Sequence, residues 1–259
     1  MWRGWPWRHI KARDIPDALW QATVARYPFL SAHSPADLTA LRTLCSQFLA
    51  LKEFHGARGF VVTDAVALAI AAQAVLPVQH LGLDWYDDFV GIVVHPGQVV
   101  ARRQDMDEAV VVHDWSEVIS GEAMDGGPVM LSWDDVAQAG QSAVDGYNVV
   151  IHEFAHKLDM RDGRADGCPP LRRAKDRAAW QSTMAEVYAA FREQVIIAER
   201  FGGEPPWMDS YGAQSIEEFF AVASEAYFVN RPRFAADFAP LLPLFDGFYG
   251  PPRANPRGT

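Results

Sequence analysis

The sequence predicts an α+β fold, in which a small mixed β-sheet lies between a helical N-terminal part and a group of C-terminal helices. Short runs rich in β-branched residues, separated by Gly, Pro and Asp, indicate the sheet. Apolar residues at helical spacing indicate helices on both sides of these runs. Because the strands follow one another directly, an α+β arrangement is favoured over one in which strands and helices alternate. The predicted strands are centred on FVGIVV (89–94), VVA (99–101), AVVV (109–112) and PVMLSW (128–133).

The N-terminal helices have recognisable boundaries. A short helix is expected near 17–27, within an arm that is rich in Trp and Pro. Ser34 and Pro35 begin a clearer helix, because Ser accepts hydrogen bonds at an N-cap and Pro suits the first helical position. The segment GFVVTD (59–64) is expected to form a short strand before a buried helix at 64–76.

The chain is expected to form one domain, 1–259, with a mainly helical N-terminal part (1–80) and a second part (81–259) that holds the sheet and the C-terminal helices. No internal repeat, low-complexity tract or linker divides it. Asp145 is expected to cap the first helix after the sheet, and the turn-rich residues 161–170 end that helix. The C-terminal helices are predicted at 145–159, 171–200, 215–229 and 233–247.

Composition and charge narrow the class of function. An apolar fraction of 49% and a charged fraction of 22% are typical of a globular protein. The net charge of -10 argues against direct nucleic-acid binding, which requires a basic surface. The longest apolar run, at 65–78, is shorter than the roughly 18 residues of a membrane span, so no membrane association is expected. The two cysteines, Cys45 and Cys168, form no disulfide framework, which favours a reducing cytoplasm.

The most informative motif is HEFAH, residues 152–156, which matches the pattern HExxH. Residues i and i+4 of a helix lie about 40° apart around its axis, so His152 and His156 can reach one ion. Glu153 lies beside them, where its carboxylate can contact a water molecule on that ion. The competing interpretation is an amphipathic helix whose polar face holds no metal. The apolar flanks argue against it, because polar groups in a buried helix are costly without partners.

A catalytic zinc site needs a third protein ligand and leaves one position open for water. The candidates are Asp159 and the acidic residues of SIEEFFAVASEAYF (215–228). Asp159 shares the histidine face, but its short side chain suits a hydrogen bond to a ligand imidazole better than a place on the metal. Glu218 and Glu225 share one helix face. Spacing alone leaves both of these glutamates open.

Several motifs together resemble one family of proteins. Over nearly the whole chain, the sequence resembles the Mlc titration factor A family of zinc metallopeptidases, which are gluzincin-like. The segment from Tyr211 to Glu218 is also similar to the catalytic domain of anthrax lethal factor. The resemblance implies a zincin-like α+β fold. The motifs that carry it are HEFAHKLDMRDG (152–163), DSYGAQSIEEFFAVASEAYF (209–228), GPVMLSW (127–133) and LGLDWYDDF (81–89).

The resemblance also assigns roles to individual residues. It implies that His152, His156 and Glu218 bind one Zn²⁺ per chain. It implies that Glu153 is the catalytic base and that Tyr211 assists the transition state. Under the same resemblance, the other open glutamate of the later helix becomes a supporting or structural residue.

The substrate is expected to bind along the sheet. An extended peptide can add itself to the free edge of a sheet as one more strand. GPVMLSW (127–133) is expected to be that edge strand, and Pro128 near its start is compatible with an edge position.

The sequence therefore predicts a zinc-dependent peptidase that acts on peptide or protein substrates, with aminopeptidase and endopeptidase activity both open. The resemblance adds a partner, a Mlc-like transcriptional repressor. The alternative is a regulatory binding protein whose zinc site is non-catalytic, or latent because the C-terminal tail or loop 161–170 covers it. Glu153 favours catalysis, because a structural zinc site has no need of a carboxylate on the side of the water.

Overall fold

The computed structural model describes residue 12 and residues 14–106, 112–119, 121–123, 126–171 and 173–250, and for 99–106 and 112–119 it describes the backbone alone. The helices are α1 (Asp17–Arg26), α2 (Pro28–Ser31), α3 (Pro35–Leu51), α4 (Asp64–Ala74), α5 (Trp133–Ser142), α6 (Val149–Asp159), α7 (Ala174–Phe201), α8 (Ile216–Val229), α9 (Arg231–Asp237) and α10 (Leu242–Tyr249). The strands are β1 (Glu53–Gly56), β2 (Gly91–His95), β3 (Val99–Met106), β4 (Val112–Ile119), β5 (Gly121–Ala123) and β6 (Val129–Ser132).

Side-chain caps mark the starts of two N-terminal helices, and Ser34 confirms the predicted cap. The side chain of Ser34 accepts a hydrogen bond from the backbone N–H of Asp37, and α3 follows it directly. Thr63 caps the buried helix α4 in the same way. Helix α1 occupies the segment predicted near 17–27. Local capping chemistry therefore accounts for the starts of α3 and α4, whereas α1 and α2 begin without a side-chain cap.

The strand predicted at 59–64 is wrong. The backbone turns at Arg58 and Gly59, where φ is 52° and 79°, and Thr63 already serves as the cap of α4. Too few residues remain between the turn and the cap to form a strand. The strand that does form, β1, lies before the turn and pairs in parallel with β2.

The main sheet is mixed, as predicted, with the strand order β1-β2-β6-β5. Strands β1, β2 and β6 are parallel to one another, and β5 is antiparallel to β6. Strands β3 and β4 form a separate antiparallel pair. The runs predicted at 89–94, 99–101 and 128–133 correspond to β2, β3 and β6, whereas most of the run at 109–112 lies outside the described residues.

The edge of this sheet beside α6 is β5, so the prediction that GPVMLSW (127–133) forms the edge is wrong. Strand β6, which contains most of that segment, has β2 on one side and β5 on the other. Gly121, Glu122 and Ala123 are residue types of low β-propensity, which is why the sequence does not reveal β5. In the described part of the chain, the free edge therefore belongs to a strand that the sequence does not predict.

Helix α6 begins later than predicted. The side chain of Asn148 accepts a hydrogen bond of 2.9 Å from the backbone N–H of Ile151, so Asn148 is the cap. The prediction that Asp145 caps this helix is wrong. Asp145 lies in a 3-10 turn that ends at Gly146, where φ is 80°.

The remaining C-terminal helices follow the prediction with two exceptions. Helices α7 and α8 confirm the segments predicted at 171–200 and 215–229. The segment 233–247 holds parts of two helices, α9 and α10, because Pro240 and Pro243 lack the N–H that a continuous helix requires. Helix α5, which Ser132 caps, is not among the predicted helices.

Helix α6 lies in the middle of the buried core. The fully buried ring of Phe154 lies 5.0 Å from that of Tyr86, 5.7 Å from that of Phe48 and 5.8 Å from that of Phe89. Helix α8 and strand β5 also pack against α6. The apolar side of α6 thus fixes the helix in the core. Within the described ranges, no helix is long and apolar enough to cross a membrane.

Candidate metal centre

The three predicted metal ligands meet between α6 and α8. Nε2 of His152 lies 3.1 Å from Nε2 of His156. Oε2 of Glu218 lies 3.1 Å from Nε2 of His152 and 3.3 Å from Nε2 of His156. Among the residues that the structure describes, these three form the group of His, Cys, Asp or Glu side chains that could hold a metal ion.

The spacing of these atoms fits a tetrahedral metal ion. Ligand atoms about 2.0–2.2 Å from a metal at tetrahedral angles are separated by roughly 3.3–3.6 Å, which is close to the separations of 3.1 and 3.3 Å found here. Two imidazoles and a carboxylate are donors that zinc and neighbouring first-row ions accept. Three protein ligands leave a fourth position for water or substrate. The donor set is therefore compatible with a catalytic metal site.

Glu218 reaches the histidines because Ser215 begins α8 just before it. The side chain of Ser215 accepts a hydrogen bond from the backbone N–H of Glu218. Burial alone would raise the pKa of Glu218, but the hydrogen bonds and charges of His152 and His156 outweigh burial and lower this pKa well below its usual range. The carboxylate is therefore charged at neutral pH, as a metal ligand must be.

Glu225, the other open candidate, holds His152 from behind. Its Oε1 lies 2.7 Å from Nδ1 of His152, and its Oε2 accepts a hydrogen bond from the backbone N–H of Asn148. Only 1% of Glu225 is exposed. A hydrogen bond at Nδ1 keeps the proton on that nitrogen and leaves Nε2 to bind a metal. The packing of α8 on α6 thus separates the two glutamates that spacing leaves open.

A hydrogen bond between Asn148 and Gln73 extends the contact that Glu225 makes with the start of α6. The side-chain amide of Asn148 donates a hydrogen bond of 2.8 Å to Oε1 of Gln73 in α4, and both residues are fully buried.

Burial alone would lower the pKa of His152, but Glu225 and Glu218 outweigh burial and raise this pKa well above its ordinary value. The imidazole is therefore oriented by anionic partners on both of its nitrogens.

Three residues of the site are absent from the sequence-based prediction. Asn148 carries a usable signal, because an Asn directly before an apolar run is typical of a helix start. Gln73 carries none, because it meets Asn148 across 75 positions of the chain. Gly121 carries none either, since its strand has no β-propensity signal. Local patterns therefore reveal the ligands better than the residues that support them.

Asp159 does not play the part that the sequence predicts for it. Its Oδ2 accepts a hydrogen bond of 2.8 Å from the backbone N–H of Gly167, and in the described structure no hydrogen bond joins it to His156. Burial raises the pKa of Asp159 to about 7, against the effect of the Gly167 hydrogen bond. Asp159 therefore anchors loop 161–170 to the end of α6, and the prediction that it orients a ligand imidazole is wrong.

Glu153 faces the same cavity as the three ligands and is 4% exposed. Burial raises its pKa to about 8, and the nearby His152 offsets only part of this effect. Strand β5 lies directly on the side chain, because a Cβ at Gly121 would come within 2.6 Å of Cγ of Glu153. A side chain at position 121 would displace the carboxylate, so glycine is required there.

A cavity of about 420 Å³ joins these groups. Tyr211 lines it from the 3-10 turn Ser210–Ala213, whose cap Asp209 accepts a hydrogen bond from the backbone N–H of Tyr211. The ring centroids of Tyr211 and His152 are 6.0 Å apart. Ala165, in loop 161–170, lines the cavity too. The cavity brings together all the site residues that the sequence predicts, namely His152, Glu153, His156, Tyr211 and Glu218.

Replacing Glu225 by Ala is expected to weaken metal binding by about 10- to 100-fold, because His152 loses the acceptor that orients its ring. The matched control is Glu217→Ala, which removes another carboxylate of α8 that lines the cavity. This control should bind metal as the wild type does. Titration against a chromophoric chelator measures both affinities, and a wild-type affinity in Glu225→Ala would contradict the positioning role.

The substitution Glu153→Gln is expected to stabilise the metal-free protein against unfolding, and the size of this stabilisation relative to the wild type should increase as pH rises. The pKa of Glu153 is about 8 in the folded state against an ordinary 4.5, so between these values the folded state binds more protons than the unfolded state. Wild-type stability should therefore fall as pH rises through this window. The amide that replaces the Glu153 carboxylate does not titrate. The difference in free energy of unfolding between variant and wild type should therefore reach on the order of 2–4 kcal/mol near pH 8 and almost vanish near pH 5.

Urea unfolding of both metal-stripped proteins across this pH range measures the difference, in which titrating groups remote from Glu153 cancel. A difference that stays constant between the two ends of the range would mean that Glu153 is not buried as a neutral acid.

Comparison with known proteins identifies relatives over almost the whole chain. Residues 2–250 match the family described as Glucose-regulated metallo-peptidase M90. The protein slr2042 of Synechocystis sp. is 36% identical over 250 residues, which are 96% of this chain and 89% of the relative.

Other relatives carry the name Mlc titration factor A. The one from Cronobacter sakazakii is 32% identical and the one from Serratia proteamaculans 33% identical, each over 247 residues that are 95% of this chain and 91% of the relative. These matches confirm the family resemblance seen in the sequence motifs. The chain therefore belongs to the M90 family of glucose-regulated metallo-peptidases.

Proposed function

We propose that this protein is a zinc-dependent peptidase whose metal is held by His152, His156 and Glu218. The observation that carries the proposal is the triangle of ligand atoms with sides of 3.1 and 3.3 Å, which shares a cavity with the buried carboxylate of Glu153. One Zn²⁺ per chain suits two imidazoles and a carboxylate. A zinc ion held there supplies activation of water and polarisation of a peptide carbonyl.

The chain itself supplies the proton transfers. Glu153 takes a proton from the attacking water and passes it to the amine of the leaving group, which completes the cleavage of the peptide bond. Glu153 must be deprotonated to accept that proton, and a cation bound beside it would favour the carboxylate over the neutral acid that burial favours in the metal-free protein. Tyr211, which also lines the cavity, donates a hydrogen bond from its hydroxyl group to the carbonyl oxygen as negative charge develops there.

The substrate is a peptide or protein segment in an extended conformation. Strand β5 borders the cavity through Gly121, Glu122 and Ala123 and has β6 as its partner on the other side. An extended peptide can pair with its outer edge, which lays a peptide bond over the metal centre. Aminopeptidase activity and endopeptidase activity are both served by this arrangement. We propose that the protein acts in the cytoplasm.

Glu153→Gln is expected to keep the metal and to reduce the hydrolysis of peptides by about 100- to 10,000-fold, because the amide cannot accept the proton. Glu218→Gln is expected to lose most of the metal, because an amide is a poorer ligand than a carboxylate. Metal content is measured by mass spectrometry, and hydrolysis with a panel of aminoacyl anilides and internally quenched peptides.

These two variants separate three outcomes. Wild-type hydrolysis by Glu153→Gln would exclude Glu153 as the base. Full metal content in Glu218→Gln would exclude Glu218 as the third ligand. Bound zinc in the wild type without cleavage of any substrate in the panel would exclude an active peptidase in favour of a binding protein whose zinc site is non-catalytic or latent.

The names of the relatives support a second function. Mlc titration factor A is the name of proteins that are 32% and 33% identical to this chain over 95% of its length. We propose that this protein also binds a Mlc-like transcriptional repressor. The binding of a folded partner requires no proton transfer, so it does not depend on Glu153.

The repressor proposal predicts that wild type and Glu153→Gln bind a purified Mlc-type repressor with equal affinity. Fluorescence anisotropy of the labelled repressor measures both affinities, with an unrelated repressor as the control. The absence of binding at micromolar concentrations would rule this role out, whatever the result of the hydrolysis assay.

A further inference from the structure

Lys157 is a lysine in the middle of the protein core. It follows the HEFAH motif on α6 and has no exposed surface. Lysine is one of the residue types that are almost never fully buried without partners, because the ammonium loses its hydration. The proposed reaction does not use Lys157, so its burial requires another explanation.

The ammonium of Lys157 reaches the turn between β5 and β6. Its Nζ donates a hydrogen bond of 2.9 Å to the backbone carbonyl of Gly127, and it lies 4.8 Å from the ring centroid of Phe89. Glu153 precedes Lys157 by four residues, so both side chains leave α6 on the same side. One face of α6 therefore contacts this hairpin twice, through Glu153 at Gly121 and through Lys157 at Gly127.

Strand β5 contributes no fully buried side chain to the core. Its residues Gly121, Glu122 and Ala123 are all only partly buried. By contrast, β6 is anchored by the buried side chains of Val129 and Leu131. The described contacts that hold strand β5 therefore include its ladder with β6, its contact with Glu153 and the hydrogen bond between Gly127 and Lys157.

We propose that Lys157 is a positioning residue that fixes Gly127, just before β6, on α6 and so keeps at the cavity beside Glu153 the edge of β5 that no other described strand covers. The part that concerns substrate rests on the proposed peptidase function, whereas the part that concerns the hairpin stands on the contacts alone. In this arrangement α6, which carries His152 and His156, also positions β5, the strand along which a peptide would lie.

The chain offers a matched control in a second buried lysine. Lys52, which is 8% exposed, places its Nζ 3.6 Å from the same Phe89 ring centroid. It donates hydrogen bonds to the backbone carbonyls of Tyr86 and Phe89 instead of the hairpin. Lys52→Met therefore removes a buried ammonium from the same ring and leaves the contact with Gly127 intact.

The test compares Lys157→Met with Lys52→Met in the full-length, zinc-loaded protein. Met retains the apolar stem of lysine and lacks its donor. Lys157→Met is expected to speed amide hydrogen exchange across residues 121–131 and to leave zinc affinity unchanged. It is also expected to lower kcat/KM by about tenfold or more for a quenched peptide that spans several residues, with a smaller loss for an aminoacyl anilide. Lys52→Met should match the wild type in exchange at 121–131 and in the ratio of the two substrates.

Equal exchange at 121–131 in Lys157→Met and wild type would overturn the proposal. So would a loss of zinc affinity, or equal losses on both substrates, because either result would indicate a general structural role. If Lys157→Met does not fold, Lys157→Gln retains an N–H donor on a shorter arm and should give intermediate exchange. A wild type that cleaves neither substrate would count against the peptidase function alone, since the exchange measurement would still decide the role of Lys157.

Discussion

The hydrogen bond between the Glu225 carboxylate and Nδ1 of His152 is the contact on which the candidate site depends. It joins α6 to α8 inside the core, and the backbone N–H of Asn148 binds the same carboxylate at the start of α6. Removing one partner would leave a buried polar group unsatisfied, which is far more costly than losing a contact at the surface. The two helices therefore keep one relative position, and Glu218 is brought to the histidines by the same constraint.

Much of this site can be predicted from the sequence because its chemistry is local. The spacing of His152 and His156 places both imidazoles on one side of any helix, whatever that helix packs against. Ser34 is recognisable as a cap for the same reason. The choice between Glu218 and Glu225 cannot be made from helical spacing, because both side chains share a face of α8. The family resemblance favours Glu218, and the contact of Glu225 with the back of His152 gives the physical reason.

Several of the incorrect predictions share a physical origin, which is that they depend on distant parts of the chain or on backbone conformation. Strand β5 is a strand because β6 pairs with it, since Gly, Glu and Ala have little β-propensity. Asp145 and Asn148 are both good capping residues, and the positive φ of Gly146 between them decides where α6 begins. Gln73 enters the site through a contact that no local pattern encodes.

The contacts that run from Gln73 through Asn148 to Glu225 also bear on when the site can form during synthesis. They join residues that are 75 and 77 positions apart, so three remote segments must dock before His152 is held in place. Contacts between remote segments form late, because the entropy of closing the intervening chain is lost first. A ribosome-bound chain that lacks α8 has neither Glu218 nor the carboxylate behind His152. Tight capture of the proposed metal therefore requires the synthesis of α8, and a chain that ends before α8 holds two histidines without the proposed third ligand.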